Sequence, residues 1–159
     1  MSDAAAIERR LAELGLTLPP VAAPVAAYVP AVRSGSMVYT SGQLPFVDGV
    51  LLGTGKVGDG PGLVDPADAQ GYARVAALNA LAALASVAGG LENVARIVKL
   101  VGFVASDPGF TGQPAVINGA SALLQAVLGD AGVHARSAVG VAALPLDSPV
   151  EIELVAELR

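Results

Sequence analysis

The chain has 159 residues, 53% of them apolar and only 14% charged, with a net charge of −5 at neutral pH and no cysteine. Such a length fits one ordinary domain, the missing cysteines exclude a disulfide framework and thiolate metal sites, and an acidic chain without a basic cluster argues against a surface that tracks nucleic-acid phosphates. A charged share well below the usual quarter or so leaves little to cover the surface, which points to an assembly of several copies, while the acidic balance favours a small-molecule ligand over nucleic acid.

The first residues, MSDAAAIERRLAELG, contain acidic side chains and no apolar run of the secretory type. Residues 73 to 88 are rich in alanine but include Arg74 and Asn79, and on that ground fall short of a membrane span. The expected location is the cytoplasm, without a membrane or nucleic-acid partner.

In chain order, Ser2 is placed to cap a short helix in which Ile7, Leu11 and Leu14 recur at helical spacing, closed by Gly15. We read residues 1–18 as a helical appendage and 19–159 as the domain proper. A stretch with Pro19, Pro20 and Pro24 is extended. It leads into YVPAVRSGSMVYTSGQLP, two strand-like runs joined at Ser34-Gly35-Ser36, a hairpin. VLLGTGKVG is a further short strand running into a glycine-rich loop. Asp65-Pro66 is a strong helix start, and the helix runs to Gly89-Gly90. ARIVKLVGFVAS is rich in β-branched residues and bounded by turn signals, hence a strand. Residues 114 to 128 make the second long helix, and 135 to 144 and 149 to 158 the last two strands, split at Leu146-Asp147-Ser148. These elements predict an α+β fold: a single sheet of hairpin-paired strands with two helices packed on one face.

Two letter patterns fail on context. Gly53-Thr54-Gly55-Lys56-Val57-Gly58 has the spacing of a dinucleotide fingerprint but runs into Pro61 and a loop instead of a helix N-terminus. Lys56 is followed by Val57 where a phosphate loop needs a hydroxyl. His134 is the only histidine. A histidine metal site would need carboxylates to complete it, and a Ser-His-Asp triad would rest on this one residue. Neither has a supporting signature, so His134 reads as a residue at a strand entrance or subunit contact.

The last two strands carry more. Alternation puts Arg136, Ala138, Gly140 and Ala142 on one face, so the guanidinium sits beside a row of very small residues that could leave room for a carboxylate. In the final strand Glu151, Glu153, Val155 and Glu157 share one face, and Ile152, Leu154, Ala156 and Leu158 face the helices. Spacing alone also fits a second account, in which the glutamates are solvated and Arg136 is their cross-strand ion-pair partner.

Three blocks resemble the RidA family, also called YjgF/YER057c/UK114, small enamine and imine deaminases of chorismate-mutase-like fold that form trimers. Tyr39-Thr40-Ser41-Gly42-Gln43-Leu44-Pro45 is similar to the family's early "SGQ" strand, Arg136-Ser137 through Ala143-Leu144-Pro145 to its "R…V…LP" strand, and Val150-Glu151-Ile152-Glu153 to its "xEIE" final strand. The resemblance implies a homotrimer and a small carboxylate substrate. It further implies that Arg136 holds the substrate carboxylate, that Glu151 activates the attacking water, that both face one cleft between subunits, and that Tyr28, Ser41, Gly42 and Asn118 line it. No metal or other cofactor is implied, since a 2-imino acid is already electrophilic at its C=N carbon. Gly140 stands where many relatives carry an acidic residue, Tyr28 sits in AAYVP where they have GPY, and residues 112–114 are an insertion. A non-catalytic trimer of the same fold that binds a small carboxylate or a protein client is the other function these residues allow.

Overall fold

A computed structural model of the chain describes residues 3–21, 23 and 27–159. Ser2 and Pro24, which the sequence places at a helix cap and in an extended stretch, lie outside the described residues. Helix α1 spans Asp3–Glu13 and is followed by Gly15 at φ +67°, the left-handed position glycine takes without strain. Strands β1 (Ala31–Ser34) and β2 (Met37–Thr40) form the expected hairpin. Next come β3 (Phe46–Val47) and β4 (Val50–Leu51), a second small hairpin. Its turn is Asp48-Gly49, both at positive φ, the conformation an Asp-Gly pair favours between strands.

Helix α2 runs Pro66–Ala88. It starts where the Asp65 carboxylate accepts a hydrogen bond from the Ala67 amide and ends at left-handed Gly89, so both boundary signals act as their chemistry predicts. Strand β5 (Val94–Ala105), helix α3 (Gln113–Leu128), strand β6 (Ala135–Val141) and strand β7 (Val150–Leu158) complete the chain.

The main sheet has the order β1-β2-β7-β5-β6. Strand β7 lies antiparallel between β2 and β5, whereas β6 pairs with β5 in parallel at the edge. The last two strands are therefore not a hairpin. A strand that follows a helix crossing over from β5 returns parallel to it, and β6 does so after α3.

Helices α2 and α3 cover one face of the sheet, and the core lies between. Val38, Ile97, Leu100, Ile152 and Leu154 from the sheet are fully buried, as are Leu81 and Leu84 of α2 and Ile117, Leu123 and Leu124 of α3. The alanines of α2 are functional here: Ala73, Ala76, Ala77 and Ala80 have no exposed surface, because the helix is squeezed between sheet and α3. At Gly119 of α3 a Cβ would overlap the Gln70 carbonyl of α2, so close approach demands glycine. By length and composition α2 is in fact apolar enough to cross a bilayer, contrary to the expectation from Arg74 and Asn79, but half of its apolar stretch is buried inside this fold, as a core helix requires.

Helix α1 packs on this body. Leu11 is 8% exposed within the core, and Arg10 Nη1 donates to the Val127 carbonyl at 3.3 Å. Among the described residues no helix covers the opposite sheet face. It presents Val32, Tyr39 and Val139, each 43–53% exposed.

Candidate functional site

Arg136 stands near the start of edge strand β6, opposite Leu100 in register. Leu100 is fully buried under the helices, and paired residues point to the same side of a sheet, so the guanidinium projects toward α3. There Nη1 donates to Asn118 Oδ1 at 2.8 Å and to Ser121 Oγ at 3.3 Å, and Nη2 reaches the Pro114 carbonyl at 3.4 Å. The ion pairs among the described residues are Arg9–Glu13 and Arg159–Asp3; Arg136 has only neutral partners. Beside it opens a cavity of about 370 Å³ lined by Asn118, Ser121, Gln125, Val133, His134 and Arg136.

This cavity is not where the small residues of β6 suggest it. Ala138 packs against the core, and the Gln113 amide lies where a Cβ at Gly140 would stand. The row Ala138–Gly140 is small to admit the start of α3, and the free volume lies on the other side of Arg136, toward the loop before β6.

Glu151 occupies a different place. It sits on β7 opposite Phe103, on the face without helices, half-buried. Burial pushes its carboxyl above the ordinary carboxylate range, and the negative charge of Glu153 adds to the shift. Strand β2 leaves β7 after Tyr39, which pairs with Val155, and the chain rejoins it where Gln43 pairs with Ile152, so Ser41 and Gly42 arch over this carboxylate. A Cβ at Gly42 would overlap the Glu151 carboxylate. Ser41 donates its hydroxyl to the Val29 carbonyl at 2.6 Å and its amide to Pro30 at 2.8 Å, pinning the segment that carries Tyr28. Tyr28 is 52% exposed and, with Ala27, Val29, Val32 and Ser41, walls a second open cavity.

Two half-sites result. Arg136 with Asn118 forms one, and Glu151 with Gly42, the adjacent Ser41 and, through the segment that Ser41 holds at Val29, Tyr28 forms the other. Two strand spacings and three residues along the ladder separate Arg136 from Glu151, about 14 Å between Cα atoms, and they point to opposite faces. Within one chain they do not face a common cleft. The cross-strand ion pair also fails, because β5 lies between β6 and β7.

Residues 8–158 match the family model described as "YjgF/chorismate mutase-like, putative endoribonuclease". The chain belongs to the YjgF (RidA) family. A curated relative, protein TCP17 of Trypanosoma cruzi, is 42% identical over 154 residues, covering 96% of this chain and 94% of its own. A crystal structure of a protein of unknown function from Agrobacterium tumefaciens is 47% identical with a TM-score of 0.90, over 99% of this chain and 95% of that one. The structure of TdcF from E. coli with bound serine is 28% identical with a TM-score of 0.62, over 89% and 94%.

Against the YjgF pattern, Asn118 is brought to Arg136 as the resemblance implies, while Ser121 and His134 are additional. His134 does stand at a strand entrance, directly before β6, yet its ring is engaged: Nε2 is 2.9 Å from Ser121 Oγ and Nδ1 is 2.6 Å from the Gly132 carbonyl. One signal in the sequence could have shown this wall. Asn118, Ser121 and Gln125 recur at helical spacing as a polar stripe on an otherwise apolar helix. The loop Gly53–Gly58 holds no helix and is irregular apart from Val57, which bridges to Val64 and to Ser106.

Proposed function

We propose that this YjgF-family chain assembles in the cytoplasm as a homotrimer that hydrolyses reactive 2-imino and enamino acids to 2-oxo acids and ammonia, each site joining the Arg136 half of one subunit to the Glu151 half of the next. The separation of the two halves within one chain carries this reading. Each half lacks what the other has: a cation without an acidic partner, and a half-buried carboxyl held ready beside Gly42. The bare sheet face with Val32, Tyr39 and Val139 and the edge strand β6 offer another copy apolar surface and free backbone groups. That TdcF is described with bound serine supports a small amino-acid-like carboxylate as the ligand class.

The chemistry needs orientation and a proton shuttle. Arg136 grips the substrate carboxylate through its planar fork of donors. Glu151, as carboxylate, takes a proton from water while the water oxygen bonds to the C=N carbon, and passes it to the imine nitrogen, giving a carbinolamine. It then takes the hydroxyl proton and returns it to nitrogen as the C–N bond breaks, so that ammonia leaves and the carbonyl forms. A carboxyl whose pKa lies above the ordinary range is a better base near neutral pH.

The test is ammonia release from imines generated in place by an amino-acid oxidase. The protein should accelerate release, equally with and without chelator. Tight binding of small carboxylates without acceleration would favour the non-catalytic reading. An endoribonuclease, the activity in the family description, suits less well a chain of net charge −5 whose Arg136 wall has a single permanent cation.

A further inference from the structure

Arg136 ends a run of hydrogen bonds that begins on the backbone. The Gly132 carbonyl lies 2.6 Å from His134 Nδ1, His134 Nε2 lies 2.9 Å from Ser121 Oγ, and Ser121 Oγ lies 3.3 Å from Arg136 Nη1. A carbonyl oxygen only accepts, so Nδ1 carries the proton, and in the neutral ring Nε2 is then an acceptor. Ser121 must spend its one hydrogen on Nε2. Its lone pairs are left for Arg136, whose guanidinium has only hydrogens to give. The direction of every bond is thus set from Gly132 outward. Asn118 Oδ1 receives the same Nη1 at 2.8 Å, and Nη2 has only the long contact to Pro114.

We propose that Ser121 and His134 are positioning residues for Arg136, fixing the plane of its guanidinium by Nη1 so that the opposite edge of the fork is presented to an incoming carboxylate. This rests on the reading above that Arg136 receives the substrate carboxylate. None of the holders is acidic, which matters: an acidic partner would fix the guanidinium equally well but would compete with the ligand for its charge. His134 is buried enough to be held and lies beside the cavity that Arg136 borders. Without His134, Ser121 could turn its hydrogen toward Arg136 and would repel the donor it now accepts.

Two measurements test this. In protein labelled with nitrogen-15 arginine, the Nη signals of Arg136 should be resolved by hindered rotation. They should merge in Ser121→Ala and in His134→Phe, and be restored in Ser121→Thr. In calorimetric titration with pyruvate, a stable 2-oxo acid, Ser121→Ala and His134→Phe should each weaken binding about tenfold, the size expected for losing one hydrogen bond to a charged group. Ser121→Thr should bind as wild type, and the double variant no worse than either single one, because the two act in series. Alanine is well tolerated in a helix, so Ser121→Ala alone decides if His134→Phe does not fold. Pyruvate binding that requires Arg136 but ignores Ser121→Ala, with Nη signals unchanged, overturns the positioning role. Binding that survives Arg136→Ala instead overturns the carboxylate reading, and the positioning role falls with it.

Discussion

Glycine at position 42 makes room for a carboxylate, not for a turn. The atom a Cβ would strike is the tip of Glu151, a flexible side chain that can swing away. Gly42→Ala should therefore fold with stability within about 1 kcal/mol of wild type and lose turnover by displacing the carboxylate; a crystal structure of the variant should show Glu151 in another rotamer. Glu151→Gln keeps size and hydrogen bonding but cannot take a proton. Pyruvate affinity should survive while turnover drops by about two to four orders of magnitude, and unchanged turnover would remove Glu151 from the mechanism. Stability should move the other way. Burial raises the folded-state pKa of Glu151 above its unfolded value, so between the two values the folded chain holds more proton, and stability falls as pH rises through that window. Glu151→Gln lacks this titration. Thermal melting should place the variant above wild type at about pH 8, with the gap closing toward about pH 3, below the ordinary glutamate value of about 4.3.

Among the elements, helix ends, strand faces and the β1–β2 hairpin are legible in the local sequence, whereas the place of β6 in the sheet is not. Asp65-Pro66 and Gly89-Gly90 bound α2, and alternation in β7 gives its buried and open faces, because caps and the pleat are set by neighbours in sequence. The partner of β6 is set by where α3 returns the chain, which no local pattern encodes. Two strands that follow each other through a short turn look like a hairpin, and β5 nevertheless lies between them. That single step in strand order puts a strand between Arg136 and Glu151, and the register, which aligns them with Leu100 and Phe103 of β5, turns them to opposite faces. Likewise the small residues of β6 signal close packing, and only the placement of α3 shows that Gln113, not a ligand, fills the space. The turn between β3 and β4 is, by contrast, a purely local signal, an Asp48-Gly49 pair with both residues at positive φ. Helix contact offers its own check: Gly119→Ala must push α2 away from α3, because the obstacle is the backbone at Gln70. Chemical denaturation should show a loss of about 1–3 kcal/mol, the usual range for overpacking a well-packed core.

For the whole molecule, the division of the site makes a prediction that no single-chain account shares. If the Arg136 half and the Glu151 half meet only across a subunit boundary, Arg136→Ala trimers and Glu151→Gln trimers are each inactive, because every boundary lacks one group. Mixed trimers are different. Wherever a Glu151→Gln subunit contributes its intact Arg136 to an Arg136→Ala subunit that contributes its intact Glu151, one complete site is restored. With equal amounts and random exchange about a quarter of the boundaries have this arrangement, since each role is filled correctly half the time in a ring of like interfaces. Co-expressing the two variants with different tags and purifying the doubly tagged species enriches for such boundaries. Light scattering should give the mass of three chains, and ammonia release should return to a substantial fraction of the wild-type rate. Doubly tagged trimers as inactive as either parent would mean that both residues serve the same site from one chain. The separation of about 14 Å between Arg136 and Glu151, on opposite faces of the sheet, would then have to close by rearrangement of β5, a strand paired on both sides, and that is the costlier path by far.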